Sequence, residues 1–78
     1  PSTVITYDLA NDGYVDLSVY NVVGKKVKTI VNQNETAGRK VTAWYGSDDA
    51  GNALSAGMYF YRLTAGGKVF TKKMVLMK

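Results

Sequence analysis

The stretch Tyr14-Val15-Asp16-Leu17-Ser18-Val19-Tyr20 alternates cleanly, with Val15, Leu17 and Val19 on one side and Asp16 and Ser18 on the other. A period of two belongs to a strand with one face in a core and one in water. Turn residues bracket it. Ala10-Asn11-Asp12-Gly13 precedes it and Asn21-Val22-Val23-Gly24 follows, supplying the Asn, Asp and Gly that tight reversals need. Upstream, Thr3 to Leu9 repeats the pattern with Ile5, Tyr7 and Leu9 on one face. Downstream, Lys25 to Val31 turns Val27 and Ile30 inward, with a bulge between them, and polar Asn32 to Thr36 reads as a loop crossing between sheets. Gly38 to Tyr45 holds Val41 and the single tryptophan, Trp44, and Gly46 to Ala53 is turn-forming throughout. Ala56 to Thr64 is apolar on both faces, which predicts a central strand. Ala65-Gly66-Gly67 then reverses the chain into a last strand, Lys68 to Met77. No window places apolar residues at helical spacing.

Composition agrees with an all-β reading, because the apolar residues are mainly Val, Tyr, Thr and Ile, which suit a pleated surface. Seventy-eight residues hold one domain, 1–78. A chain this short buries only about 60% of the surface its unfolded form exposes, so the core is thin. The expected core is Ile5, Tyr7, Leu9, Val15, Leu17, Val19, Val27, Val41, Trp44, Tyr59, Tyr61, Leu63 and Met74. No apolar run approaches the roughly 18 residues of a membrane span, and the N-terminus shows no leader pattern.

The absence of Cys and His removes disulfides, thiolate metal sites, the commonest general base and the commonest zinc ligand. Ser and Thr lack a base, and the carboxylates sit in turns, so no enzyme is expected. Asp48, Asp49 and Asn52 invite a calcium reading, yet the acidic spacing of a calcium loop is unmet and an ordinary turn explains them. No cofactor is expected. Net charge is +4, concentrated at Lys25, Lys26 and Lys28, at Arg39 and Lys40, and at Lys68, Lys72, Lys73 and Lys78. Lysine on strand edges blocks edge-to-edge association, which explains these clusters without nucleic acid.

Five segments in order resemble one family. Pro1-Ser2-Thr3-Val4-Ile5-Thr6-Tyr7 looks like the end of its Asn-Pro-Phe-Asn-Pro-Ser-Thr-x-Ile-x-Tyr entry motif, and Val19-Tyr20-Asn21-Val22-Val23-Gly24-Lys25-Lys26-Val27 like its Val-Tyr-Asp/Asn-x-x-Gly-x-x-Val hairpin. Ala37-Gly38, Trp44, Gly46 and Asp49-Ala50-Gly51-Asn52 are similar to its middle segment, although Tyr45 stands where Asp or Asn is usual. Ser55 to Leu63 resembles its Ser-Gly-x-Tyr-x-Tyr-Arg-Leu strand, and Thr71 to Lys78 its Thr-Lys-Lys-Met-Val-Leu-x-Lys terminus. The family is the FlgD-type immunoglobulin-like domain, with its kin the C-terminal sorting domains of type IX secretion.

The resemblance implies an immunoglobulin-like β-sandwich of about seven antiparallel strands, ending a larger exported protein whose catalytic or adhesive domain lies N-terminal to it. It further implies a sorting or anchoring module, carried through the periplasm to the cell surface or exterior. Its partners would be the outer-membrane secretion machinery and a sortase-like protease. Carried over by position, the recognition residues are Tyr20, Asn21, Gly24, Lys25, Val27, Lys73, Val75 and Lys78. The alternatives are a passive spacer beside a secreted enzyme and a carbohydrate-binding module presenting Tyr45, Phe60 or Tyr14.

Overall fold

A computed structural model describes residues 2–77. The chain forms β1 (Thr3–Leu9), β2 (Gly13–Tyr20), β3 (Lys26–Glu35), β4 (Gly38–Trp44), β5 (Gly57–Ala65) and β6 (Lys68–Leu76). They build two antiparallel sheets, a small one of β1 and β4 and a larger one ordered β3-β2-β5-β6. The fold is all-β, as expected. Its described strands number six rather than about seven, because the chain between β4 and β5 turns throughout and contributes a single bridge, Ser47 to Ala53.

The sheets close over Ile5, Tyr7 and Leu9 from β1, Val15, Leu17 and Val19 from β2, and Trp44, Tyr59, Leu63, Met74 and Leu76. Trp44 is the plug. It is 1% exposed, its indole N–H donates to the Ser47 carbonyl at 2.9 Å, and its ring meets Tyr59 edge-on with centroids 5.1 Å apart.

Four expectations need correcting. Val41 is 66% exposed rather than buried. Positions 41 and 44 lie three apart and cannot share a face of a regular strand, and the far larger indole takes the inside. Val27 and Tyr61 are only partly buried against the core, while Leu76, absent from the expected core, is 2% exposed. Asn32 to Glu35 continues β3 instead of looping. Asn32 lies opposite Asp16 and Asn34 opposite Tyr14, and an edge strand in water needs no apolar alternation to pair. The crossing between sheets comes at Thr36 and Ala37, where the Ala37 N–H donates to Asp12 Oδ1 at 2.7 Å.

The larger sheet has two edges, and they differ. On β3 the register slips twice, as Leu17 pairs with Val31 but Ser18 with Thr29, and Val19 pairs with Lys28 but Tyr20 with Lys26. Ile30 and Val27 are the residues passed over, so the bulging expected in this strand is present. The loop after β4 then covers the same edge: Thr29 N–H donates to Asp49 Oδ1 at 3.0 Å, and Asp49 N–H donates to the Val27 carbonyl at 3.0 Å. By contrast β6 pairs with β5 over nine consecutive positions without a slip. Its other side is open among the described residues.

One bond ties the sheets together across the core. The Tyr7 hydroxyl of β1 donates to Glu35 Oε1 at the end of β3, at 2.6 Å. Burial, with help from the Glu35 carboxylate, pushes the Tyr7 phenol well above its ordinary value of 10.0. Folding therefore favours the protonated phenol. Its contribution is complete below pH 10 and declines as pH rises above that value. Tyr7→Phe is expected to cost about 1–2 kcal/mol at neutral pH, read as a shift in the urea midpoint. The variant should also lose less stability than the parent above about pH 10. Equal alkaline losses would show that the bond carries no such linkage.

Candidate recognition surface

The hairpin after β2 is built by Asn21. Its side-chain oxygen accepts the N–H groups of Val23 at 3.1 Å and Lys25 at 2.9 Å, and its carbonyl accepts Gly24 N–H at 3.0 Å. Gly24 holds φ at +83°, where a side chain is strained. These bonds fix where Tyr20 and Lys26 leave the turn and therefore the phase of β2 against β3.

Tyr20 lies opposite Lys26 on one side and Phe60 on the other, and Phe60 lies opposite Lys73. Directly opposed residues point to the same face, and the buried neighbours Val19, Tyr59 and Met74 point to the core. Lys26, Tyr20, Phe60 and Lys73 thus form one row across all four strands on the outer face of the larger sheet. At a strand spacing of about 4.8 Å, Tyr20 and Lys73 stand roughly 10 Å apart. Arg62, two residues along β5 from Phe60, lays its guanidinium over the Tyr20 ring, 4.5 Å from its centre. The next row toward the hairpin end pairs Met58 with Val75, the latter 56% exposed.

Residues distant in sequence thus converge. Tyr20, Lys73 and Val75 share this face, and Asn21, Gly24 and Lys25 form the turn that borders it. Val27 stands apart, half-buried against the core. Lys78 lies outside the described residues. Sequence reading missed Phe60 and Arg62 as members of this surface, although the alternation of Phe60 and Arg62 against Tyr59, Tyr61 and Leu63 already placed them outward.

The other candidates do not assemble. Tyr14 and Tyr20 sit at opposite ends of β2, about 20 Å apart along the strand, and Tyr45, 72% exposed, follows β4 of the other sheet. Tyr45, Phe60 and Tyr14 therefore make no common platform for a sugar. In the loop after β4, Asp48 accepts N–H groups from Ala50 at 3.0 Å and Asn52 at 2.9 Å. These bonds, that of Asn52 foremost, hold its carboxyl below the usual value. Asp49 faces Thr29 N–H and Lys28, the latter 4.0 Å away. Both carboxylates thus have structural partners within the protein. Among the described residues no three His, Cys, Asp or Glu side chains gather as a metal site would require.

Comparison with known proteins sharpens the fold. The crystal structure of FlgD from P. aeruginosa superimposes with a TM-score of 0.71 at 24% identity, covering 97% of this chain and 60% of that one. No curated protein matches. The chain spans about 60% of the length of the FlgD structure. Residues 3–68 match the family model described as the FlgD Ig-like domain, from the start of β1 to the start of β6. The chain belongs to the FlgD Ig-like domain family.

Proposed function

We propose that this domain is a non-catalytic recognition module that marks its parent chain as cargo for type IX secretion. The face around Tyr20, Phe60 and Lys73 would be the surface that is read. The observation that carries the proposal is the four-strand row itself. It unites the hairpin and the last strand, the two segments to which the resemblance assigns recognition residues, on one outward face where Lys26 and Lys73 are exposed and Tyr20 and Phe60 half-buried. Two aromatic rings flanked by Lys26, Arg62 and Lys73 offer apolar area and positive charge together, a combination suited to an acidic, partly apolar protein surface. The partners on this reading are the outer-membrane secretion machinery and a sortase-like protease, and the destination is the cell surface or exterior.

The test fuses residues 1–78, preceded by the Asn-Pro-Phe-Asn start of the family's entry motif, to a periplasmic reporter in a host that carries the secretion system. The double substitution Tyr20→Ala with Lys73→Glu should hold most of the reporter in the periplasm, while circular dichroism of the purified domain stays that of a folded sheet. A Val41→Ala control, on the opposite face of the domain, should export normally. A passive spacer predicts equal export for all three. That result would defeat the proposal.

A further inference from the structure

Beyond the outer face, the molecule offers a second surface of a different kind, the open edge of β6. The two edges of the larger sheet receive opposite treatment. Two bulges, a covering loop and the Asp49 bonds make β3 a poor template for another strand. None of these devices protects β6, which is regular over nine residues, and an edge of that length presents a row of backbone N–H and C=O groups able to pair.

The side chains say what kind of strand would fit. Lys68, Phe70 and Lys72 alternate on the side of β6 that also carries buried Met74 and Leu76, since Phe70 lies opposite the core residue Leu63. Yet all three are exposed, Phe70 by 57%. Beside them opens a cleft of about 530 Å³ between the β1–β2 turn and the β5–β6 hairpin, walled in part by Leu9, Leu63, Ala65 and Phe70. The inward stripe therefore reads cation, aromatic, cation, with an apolar-walled hollow alongside.

A second copy of this chain is a poor occupant. The full-length antiparallel pairing of two β6 strands would set Lys72 directly opposite Lys72, and like charges so placed repel. An acidic segment meets no such penalty and gains from the charges. We infer that the β6 edge binds an extended acidic segment of a partner protein by strand addition, with carboxylates at two positions four apart and an apolar residue midway. The carboxylates would face Lys68 and Lys72, and the apolar residue would lie against Phe70 at the cleft. The inference rests on the sheet topology and stands apart from the export reading, since it requires neither Tyr20 nor the outer row.

The experiment uses the 78-residue chain and a capped nonapeptide of Thr and Ser, with Glu at its third and seventh positions and Leu at its fifth, followed by amide NMR. Shifts should map to the β6 amides and saturate below about 1 mM. New hydrogen-exchange protection should appear at alternate β6 residues. Two N-methylated peptides, one blocked at even amides and one at odd, decide the mode. Strand addition predicts that only one of them loses binding, by about tenfold or more. Lys68→Glu with Lys72→Glu should weaken the acidic peptide about tenfold at low salt and restore binding to a version with Lys in place of Glu. Both lysines are exposed, so the variant should keep its fold, checked by its own amide spectrum. Three results would overturn the inference: no saturable shifts, equal binding of both N-methylated peptides, or self-association of the chain through β6.

Discussion

Trp44→Ala is expected to leave the domain largely unfolded at 37 °C. Replacing a fully buried tryptophan by alanine costs about 3–5 kcal/mol, and a domain this small has roughly 5 kcal/mol to lose. Trp44 also closes the start of the loop after β4, through its bond to the Ser47 carbonyl, and it braces Tyr59 on the facing sheet. Both ties go with it. The melting temperature should fall by at least about 12 °C, with loss of the near-ultraviolet dichroism of the packed rings. Trp44→Phe, which keeps a ring against Tyr59 but gives up the N–H, should lie between the variant and the parent. A melting point within a few degrees of the parent for Trp44→Ala would refute the role of plug.

Leu76→Ala should be nearly as damaging, at about 2–5 kcal/mol, whereas Val75→Ala next to it should cost under about 0.5 kcal/mol. Leu76 is buried and Val75 points to solvent, so adjacent positions differ almost completely. Gly46 adds to the contrast. It holds φ at +76°, and a Cβ there would come within 3.0 Å of the Leu76 side chain, so the turn after Trp44 lies directly on the last strand. Denaturant midpoints of the two variants, measured side by side, check the alternation. Similar losses would mean that the strand end is not seated as described. The pair also bears on export experiments. Removing the terminal segment as a block deletes Met74 and Leu76 from the core and would abolish the fold along with any message, so point changes at exposed positions are the sound probe.

What could be read from sequence followed from how each strand is buried. Ile5, Tyr7 and Leu9, and likewise Val15, Leu17 and Val19, alternate with polar residues because one face of β1 and β2 packs into the core, and all six are in it, although Ser18 on the other face of β2 is covered as well. Around β4 and β6 the pattern fails as a guide. Val41 and Val69 point outward and Phe70 stays exposed although it shares a side with Met74 and Leu76, so all three look in sequence like core residues without being so. Leu76 shares the face of the expected core residue Met74, two positions before it, but that the end of the strand stays covered depends on Gly46, thirty residues away. Polar Asn32 to Glu35 hid a strand because a solvent-exposed edge can be held by backbone pairing alone. The outer row was half legible. Its members could be suspected one by one, but their meeting in a single row depends on registers that alternation does not specify.

The pairing of β1 with β4 also constrains when the domain can fold. Thr3 meets Trp44 and Leu9 meets Gly38, so the first strand must wait for partners roughly 30 to 40 residues downstream, while β2–β3 and β5–β6 can zip locally. Pairing of that separation is slower to close than a hairpin that zips locally. During synthesis the first strand of the domain is thus among its last elements to settle. The whole stays ajar until Leu76 arrives to seat against Gly46. A chain broken off short of that residue would never display the assembled surface, so the shape itself certifies that translation reached the last strand.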